Sequence, residues 1–227
     1  MEPDSTAPSK ERRVSFDPKW LKAAEVMSAK NDIRYYLNGV LVEVLDDEVR
    51  LVATDGHKMF FLRKKHTISV PARLIVPNEV LALLKLKKQS KYQRTAIISY
   101  GESERDKATL EYDGLEIGFR PIDGVFPNYD KILAEGFNPS GETAHFNPAY
   151  FGDFQRAVAI AFGKSSSHQV TIWPNGGKPA PVTYRSETSF YGLIMPLRLT
   201  ETYSAPDWAK PKEEPQPEVR EEEALAA

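Results

Sequence analysis

The fold is decided by residues 34–62, which read RYYLNGVLVEVLDDEVRLVATDGHKMFFL. Short runs of apolar and β-branched residues alternate in this stretch with three turn signals, Asn38-Gly39, Asp46-Asp47 and Asp55-Gly56. Runs of this length between such dipeptides are typical of strands that are joined by tight connections. The stretch therefore predicts an antiparallel β-meander.

Outward from this meander, the same order of elements returns three times. Each copy has one short strand, then a helix that starts near Pro18, Pro77 or Pro148, then about three further strands. Asp17 and Asn147 stand where a helix cap is expected, because their side chains can accept from free backbone amides. Outside the meander, we expect strands at 13–16, 66–75, 95–100, 108–112, 115–120, 143–146, 170–173, 181–185 and 190–199. The pattern predicts an α+β protein built from three βαβββ units.

Composition separates an ordered body from polar ends. We expect residues 1–11 to be a disordered N-terminus and residues 12–133 to form a domain of two units. A linker at 134–141 then leads to a single unit at 142–199. Residues 200–227 are rich in proline and glutamate and predict a disordered acidic tail, because they hold too few apolar residues to form a core.

The overall composition excludes several classes of protein. The chain has 227 residues, of which 41% are hydrophobic, and it has no cysteine. It therefore has no disulfide framework, no thiolate metal ligand and no cysteine nucleophile. No apolar run approaches the roughly 18 residues of a membrane span, and no signal peptide is visible, so we expect a cytoplasmic protein without membrane contact.

Charge is distributed unevenly along the chain. The formal net charge is −2, but residues 201–227 carry −5 and residues 18–200 carry +4. A mildly basic body is compatible with nucleic-acid contact without requiring it.

Four motifs resemble the bacterial sliding clamp family, the beta subunit of DNA polymerase III. They are RYYLNG at 34–39, ATDGH at 53–57, FPNYDKI at 126–132 and MPLRL at 195–199. They follow the family's order, and the resemblance covers about residues 12–199. It implies the DNA-clamp fold, with helices lining a ring and antiparallel sheets outside. On this resemblance, we expect the chain to lack the family's first domain and the first half of its last, and to extend beyond the family's usual final leucine.

The resemblance also implies partners. Family rings contain twelve βαβββ units, so three units per chain predict a homo-oligomeric ring of four chains around double-stranded DNA. DNA polymerase and clamp loader would bind through short peptide motifs, and no cofactor is expected. The shortened form favours a phage or plasmid origin.

A DNA-facing set follows from the same resemblance. Basic residues on or beside the three predicted helices, with two tyrosines, would face phosphates without reading sequence. The set is Lys19, Lys22, Lys30, Tyr35, Tyr36, Lys85, Lys87, Lys88, Lys91, Arg156 and Lys164. The alternative for the lysines is a solvated helix face, and for the tyrosines an ordinary place in a strand.

A peptide-binding cleft between the middle and last domains is the second implied site. Its apolar side chains would accept an extended peptide, and its few polar groups would fix the register of that peptide. The set is Leu37, Thr54, Gly56, His57, Lys58, Met59, Pro127, Ile132, Leu193, Met195, Pro196, Leu197 and Arg198. The alternative is that residues 193–199 form a plain core strand.

Catalysis is not expected. The four histidines are dispersed, and no nucleophile elbow or glycine-rich phosphate loop is present. We therefore interpret Asp55-Gly56 as a turn and His57 as a wall of the cleft. A second hypothesis is a clamp-like protein that binds polymerase, clamp-loader or host-clamp partners without encircling DNA.

Overall fold

The computed structural model describes residues 12–65, 70–86, 95–103, 105–134, 144–163, 170–185 and 187–198. Eleven strands, four α-helices and one 3₁₀ helix lie in these residues. None of the helices described is long and apolar enough to cross a membrane. The expectations for residues 1–11, for most of the linker and for the tail lie outside the described residues.

Three units follow one another along the chain. The first comprises β1 (Arg13–Phe16), α1 (Pro18–Glu25), β2 (Gly39–Val44), β3 (Glu48–Thr54) and β4 (Lys58–Lys65). The second comprises β5 (Ala72–Pro77), α2 (Asn78–Leu83), β6 (Ala96–Ser99), β7 (Ala108–Tyr112) and β8 (Leu115–Phe119). After α3 (Tyr129–Ala134), the third comprises α4 (Pro148–Phe162), β9 (Val170–Ile172), β10 (Ala180–Tyr184) and β11 (Phe190–Ile194).

Two helices begin where a capping residue precedes a proline. The Asp17 side chain accepts a hydrogen bond from the Lys19 amide at 2.9 Å, and the Asn147 side chain accepts one from the Ala149 amide at 3.0 Å. Each bond satisfies an amide that a helix start otherwise leaves without a partner. Pro77 is instead the cap residue of α2 itself and offers no side-chain hydrogen bond, and α2 is shorter than expected.

The units are interlocked by exchange of strands. One sheet has the order β1-β6-β7-β8, so the first strand of the first unit pairs with the second unit. The other has the order β5-β2-β3-β4-β11-β10-β9, so the first strand of the second unit pairs with the first. The third unit joins this seven-stranded sheet through an antiparallel pairing of β11 with β4.

Apolar residues cover both faces of the seven-stranded sheet. On the helix side, Leu21 of α1 and Phe154 of α4 are fully buried in one core with residues of all three units. The Phe154 ring lies where a side chain at Gly192 would stand, 2.5 Å from an ideal Cβ. On the opposite face, Phe126 and Tyr129 pack in a second core. The segment that carries FPNYDKI therefore covers the face of the sheet opposite α1 and α4.

A buried charge lies under α3. Glu43 is 4% exposed, accepts a hydrogen bond from the Tyr129 hydroxyl and lies 2.7 Å from Arg73. Arg50 Nη1 is 3.7 Å from the same carboxylate and 3.6 Å from Asp130. Burial and the Glu43 contact raise the pKa of Tyr129 to about 12, so its phenol is neutral and donates at pH 7.

Three local expectations were wrong. Tyr35–Leu37 forms a 3₁₀ helix and not the first run of the meander, because Asn38 bonds both the amide and the carbonyl of Asp32 and closes a loop there. The expected strand at 143–146 is reduced, among its described residues, to one bridge from His145 to Leu197. The expected strand at 190–199 ends at Ile194, before Pro196 removes a backbone donor.

Candidate functional site

The turn between β3 and β4 is held by its own polar groups. The Thr54 hydroxyl donates to the Lys58 carbonyl at 2.8 Å and accepts from the Gly56 amide at 3.0 Å. One oxygen of Asp55 accepts from the amides of His57 and Lys58 at 2.9 and 3.0 Å. Gly56 has φ +92°, which a side chain would disfavour. The ATDGH motif is therefore a rigid turn.

Arg34 holds this turn from outside. Its guanidinium donates to both carboxylate oxygens of Asp32, at 3.0 and 2.7 Å, and to the Asp55 carbonyl at 3.0 Å. The hydrogen bonds from Arg34 lower the pKa of Asp32 to about 2, so the pair is fully charged at neutral pH. An ideal Cβ on Gly56 would lie 2.7 Å from Nη1 of Arg34, so the guanidinium occupies the space beside this glycine.

Lys58 links the turn to the third unit. Its side chain is 6% exposed, pairs with Asp55 and lies 3.3 Å from Asp153 of α4. Its ammonium is 4.9 Å from the centre of the Tyr150 ring, on which the His57 ring also stacks. Burial raises the pKa of Asp55, but hydrogen bonds from Lys58 and the turn amides outweigh burial and lower it below its usual value.

A cavity of about 180 Å³ lies beside this turn, between the first and third units. Its floor is buried, with Leu37, Thr54, Met59 and Leu193 each at most 7% exposed, whereas Met195 at the rim is 40% exposed. Ten of the thirteen predicted cleft residues line it: Leu37, Thr54, Gly56, His57, Lys58, Met59, Pro127, Ile132, Leu193 and Met195. These residues come from distant parts of the chain.

The remaining three predicted residues lie elsewhere. Pro196, Leu197 and Arg198 do not line the cavity, because the chain turns away after Met195, where Leu197 donates to the His145 carbonyl at 2.6 Å. The Met195 amide donates to the His57 carbonyl at 2.8 Å, which fixes the rim.

Sequence reasoning missed three residues of the wall, Arg34, Tyr36 and Pro179. Arg34 belongs to the RYYLNG motif, and the resemblance places Tyr36 only in the DNA-facing set, so the motif itself holds the signal. Pro179 lies in the loop between β9 and β10, and only long-range packing places it at the cleft. No local pattern could have found it.

The shape and chemistry of the cleft suit apolar side-chain anchors. Its volume is below the roughly 300–1,000 Å³ of a typical small-molecule site. Across the part of the chain that the structure describes, no three His, Cys, Asp or Glu side chains are placed to hold a metal ion. The cavity has room for one or two apolar side chains, and the turn groups and Arg34 lie beside it as possible polar contacts.

The DNA-facing set is divided by the structure. Lys19, Lys30 and Lys85 are exposed on or beside α1 and α2. Lys22 is instead engaged within the fold, where it pairs with Glu25 and donates to the Leu81 carbonyl of α2 at 3.1 Å. Lys87, Lys88, Lys91 and Lys164 lie outside the described residues.

The remaining members are Arg156, in the middle of α4, and two tyrosines of the 3₁₀ helix. Arg156 on α4 is 63% exposed and pairs with Asp153. Tyr35 is 56% exposed and packs edge-on against Tyr36, with ring centroids 5.8 Å apart. Arg156 and Lys30 line one groove of about 550 Å³ on the helix side of the ATDGH turn.

Comparisons with known proteins agree on one family. The profile of the DNA polymerase III beta subunit, central domain, matches residues 18–128. The beta sliding clamp of Salmonella typhimurium is 28% identical over 192 residues, which are 81% of this chain and 50% of that protein. The beta sliding clamp of Pseudomonas putida is 32% identical over 111 residues, 48% of this chain and 29% of that protein. The chain thus spans half or less of the length of these relatives.

Solved structures share the fold. The sliding clamp of Pseudomonas aeruginosa aligns with a TM-score of 0.61 at 18% identity, covering 87% of this chain and 69% of that one. The DNA polymerase III beta subunit of Thermotoga maritima aligns at 0.62 and 15% identity, covering 87% and 68%. A further structure holds the P. aeruginosa clamp bound to griselimycin, with a TM-score of 0.60 at 20% identity, covering 87% and 68%. The profile, the relatives and the fold together support a member of the DNA polymerase III beta subunit family.

Proposed function

We propose that this protein is a sliding clamp that encircles duplex DNA in the cytoplasm and tethers a DNA polymerase to it through the cleft. One observation carries the proposal. The pairing of β11 with β4 joins the third unit to the first and places an apolar cavity between residues of both. Such a cleft binds a partner and performs no chemistry of its own, so the function is tethering and not catalysis.

The helix layer supports the DNA part of the proposal. Lys19, Lys30 and Lys85 are exposed there, and none of them has an acidic partner among the ion pairs of the described residues. Ammonium groups in such positions attract phosphates without reading the bases, which suits a protein that must move along DNA. Lys22 is left out of this surface because its ammonium is already engaged.

Self-association is the third part of the proposal. Strand β8 lies at the end of the four-stranded sheet and β9 at the end of the seven-stranded sheet. Open strand edges favour pairing with another chain. A ring of four chains would supply twelve units and leave neither edge open.

Retention on circular DNA tests the ring. The protein is incubated with nicked circular plasmid, washed in high salt, and then treated with a restriction enzyme that cuts the plasmid once. We expect protein that survives the wash to be released on cutting, because a ring slides off an end. Protein that stays bound after cutting, or never survives the wash, would overturn encirclement.

Charge substitutions test the helix surface through the binding of the protein to DNA at a series of salt concentrations. We expect Lys30→Ala with Lys85→Ala to lower low-salt binding to DNA about tenfold and to flatten its salt dependence, because two phosphate contacts are lost. Lys178→Ala, an exposed lysine in the loop between β9 and β10, is the matched control and should change binding less than twofold. Equal effects of both variants would contradict the assignment.

Griselimycin tests the cleft, because a clamp of the same family is known bound to it. We expect calorimetry to show binding to this protein, and Met195→Asp to weaken it at least tenfold by placing a charge on the apolar rim. Leu197→Asp is the matched control, since Leu197 is 50% exposed in the same segment but outside the cavity. The proposal that the cleft is a binding site would be overturned if the unaltered protein did not bind griselimycin, or if both variants lost the same affinity for it.

A second candidate is a clamp-like protein that does not close around DNA. The open edges of β8 and β9 favour it, because a full-length clamp of a host could equally pair with them. Such a protein would bind griselimycin and yet show no release of protein on cutting the plasmid. The two assays together therefore separate the candidates.

A further inference from the structure

The first two units complete each other by a reciprocal exchange of strands. In each of these two units, the strand before the helix pairs with the first of the three strands that follow the helix of the other unit. Phe16 of β1 lies opposite Ala96 of β6, and Val76 of β5 lies opposite Val40 of β2. All four residues are at most 1% exposed. A complete pair of units therefore contains two exchanged strands, related as by a two-fold axis.

The third unit has both parts of this exchange, and among the described residues neither part has the partner that it has in the first two units. Its strand after the helix, β9, has β10 on one side and lies at the open end of the seven-stranded sheet. Its segment before the helix, 144–146, makes only the bridge from His145 to Leu197 among the described residues. The donor segment and the acceptor edge are therefore both present, and within the described part of the chain neither makes the pairing seen in the first two units.

Residues at equivalent positions of the helices are less buried in the third unit than in the first two. Leu21, Leu81 and Phe151 each lie four residues after the capping residue of their helix. Leu21 and Leu81 are fully buried in the paired units, whereas Phe151 is 36% exposed. Phe146 stands directly before its cap, as the buried Phe16 does, but it is only partly buried and contacts the Phe151 ring, with centroids 6.2 Å apart.

We propose that two copies of this chain pair through their third units and build a composite domain. Residues 144–146 of each copy add to β9 of the other, in the register of the pairing between β1 and β6. Phe146 of one copy then lies opposite Val170 of its partner, because Ala96 and Val170 are each the first residue of the strand after the helix. In the same register, His145 lies opposite Thr171, and the two Phe151 rings lie at the centre of the new contact.

A second copy is the partner that the geometry favours. The third unit offers one donor segment and one acceptor edge, so two identical units satisfy each other in a single isologous contact. Any other partner would have to supply the same two complementary parts. The pairing rests on the proposed function, because it would supply one of the two contacts that close a ring of four chains. A contact at β8 would supply the other.

Disulfide trapping tests the register. The chain has no cysteine, so any cross-link comes from introduced residues. His145 and Thr171 are both exposed, and directly opposed residues of an antiparallel pair have Cβ atoms close enough for a disulfide after small shifts. We expect a mixture of His145→Cys protein with Thr171→Cys protein to give a covalent dimer on mild oxidation. Each single variant alone should stay mainly monomeric on a denaturing gel.

The controls keep the outcomes distinct. Phe151→Asp should abolish the cross-link and halve the mass of the assembly that light scattering measures, because the pairing through the third units is lost. Leu133→Asp, at a residue with a similar exposure of 38% on α3, should do neither. Absence of the mixed cross-link in a protein that still associates would overturn the pairing.

The cross-linking assay tests the pairing and the plasmid assay tests the ring, so each proposal can fail without the other. A mixed cross-link without retention on circular plasmid would retain the pairing and reject the ring. Retention on the plasmid without the mixed cross-link would reject the pairing and retain the ring. Association only with added full-length clamp of a host would assign the edge to a foreign partner and overturn the inference.

Discussion

The Nζ atom of Lys58 lies 3.3 Å from Oδ2 of Asp153, and this ion pair joins β4 of the first unit to α4 of the third. The Lys58 side chain is 6% exposed and also pairs with Asp55 in the ATDGH turn. Lys58 lines the cleft as well. The contact that docks the third unit therefore also shapes the wall of the proposed binding site.

Removing the Lys58 ammonium should destabilise the protein. We expect Lys58→Met to lower the free energy of unfolding by about 3 kcal/mol, because two carboxylates would lose a buried partner. Urea unfolding followed by circular dichroism measures the change. Arg156→Met is the control, since Arg156 pairs with the same Asp153 but is 63% exposed, and it should cost less than about 1 kcal/mol. Equal costs would show that burial does not decide the effect.

The turn carboxylate should make stability depend on pH in the acid range. Hydrogen bonds hold the pKa of Asp55 below its usual value, so its contribution is fully present above about pH 4 and is lost as pH falls through the folded pKa. We expect Asp55→Asn to be less stable than the unaltered protein at pH 7, with a difference that shrinks below pH 4. Urea unfolding from pH 7 to pH 3 measures it. A difference that is independent of pH would contradict the assignment.

The buried Tyr129 hydroxyl should give the opposite dependence at high pH. Its pKa is raised to about 12, so the stabilisation is fully present below pH 10 and is lost as pH rises towards 12. We expect Tyr129→Phe to cost about 2 kcal/mol at pH 7, because Glu43 loses a donor while buried. A phenolate absorbance titration should show one less high-pKa tyrosine in the variant. Loss of a group that titrates near pH 10 would contradict the contact with Glu43.

Local signals in the sequence located the elements but not their pairing. Asp17 and Asn147 predicted their helix starts because a cap acts within one turn of chain. The meander of β2 to β4 followed from its turns in the same way. The exchange of β1 and β5 between units could not be predicted, because hydrogen bonds between distant strands are chosen by packing of the whole core. The short helix α3 also gave no periodic signal in its six residues.

The residues of the cleft are predicted by the family resemblance and not by physical patterns in the sequence. The family motifs proposed thirteen residues, and ten of them line one cavity. The physical patterns alone proposed none of them as a site, since Leu37 and Leu193 look like ordinary core residues. Lys22 shows the converse: on its helix it resembles a free cation, yet the Leu81 carbonyl and Glu25 engage it. Tertiary contacts decide which charges remain available.

Gly56 offers a test of how the turn positions the cleft. Gly56 and Gly114 both have positive φ, +92° and +78°, but only Gly56 faces Arg34, whereas an added Cβ on Gly114 would meet no atom within 4 Å. Alanine at either position should cost about 1 kcal/mol from backbone strain alone. We expect Gly56→Ala to cost more and to weaken the griselimycin binding proposed for the cleft, because the methyl group displaces the guanidinium from the Asp55 carbonyl.

A double variant separates the two causes. If the clash with the guanidinium matters, Arg34→Ala should relieve part of the cost of Gly56→Ala, so the two changes should be less than additive in urea unfolding. Arg34→Ala should not alter the cost of Gly114→Ala, which lies in the distant turn between β7 and β8. Strict additivity at Gly56 would show that Arg34 yields without cost and that the turn geometry does not depend on it.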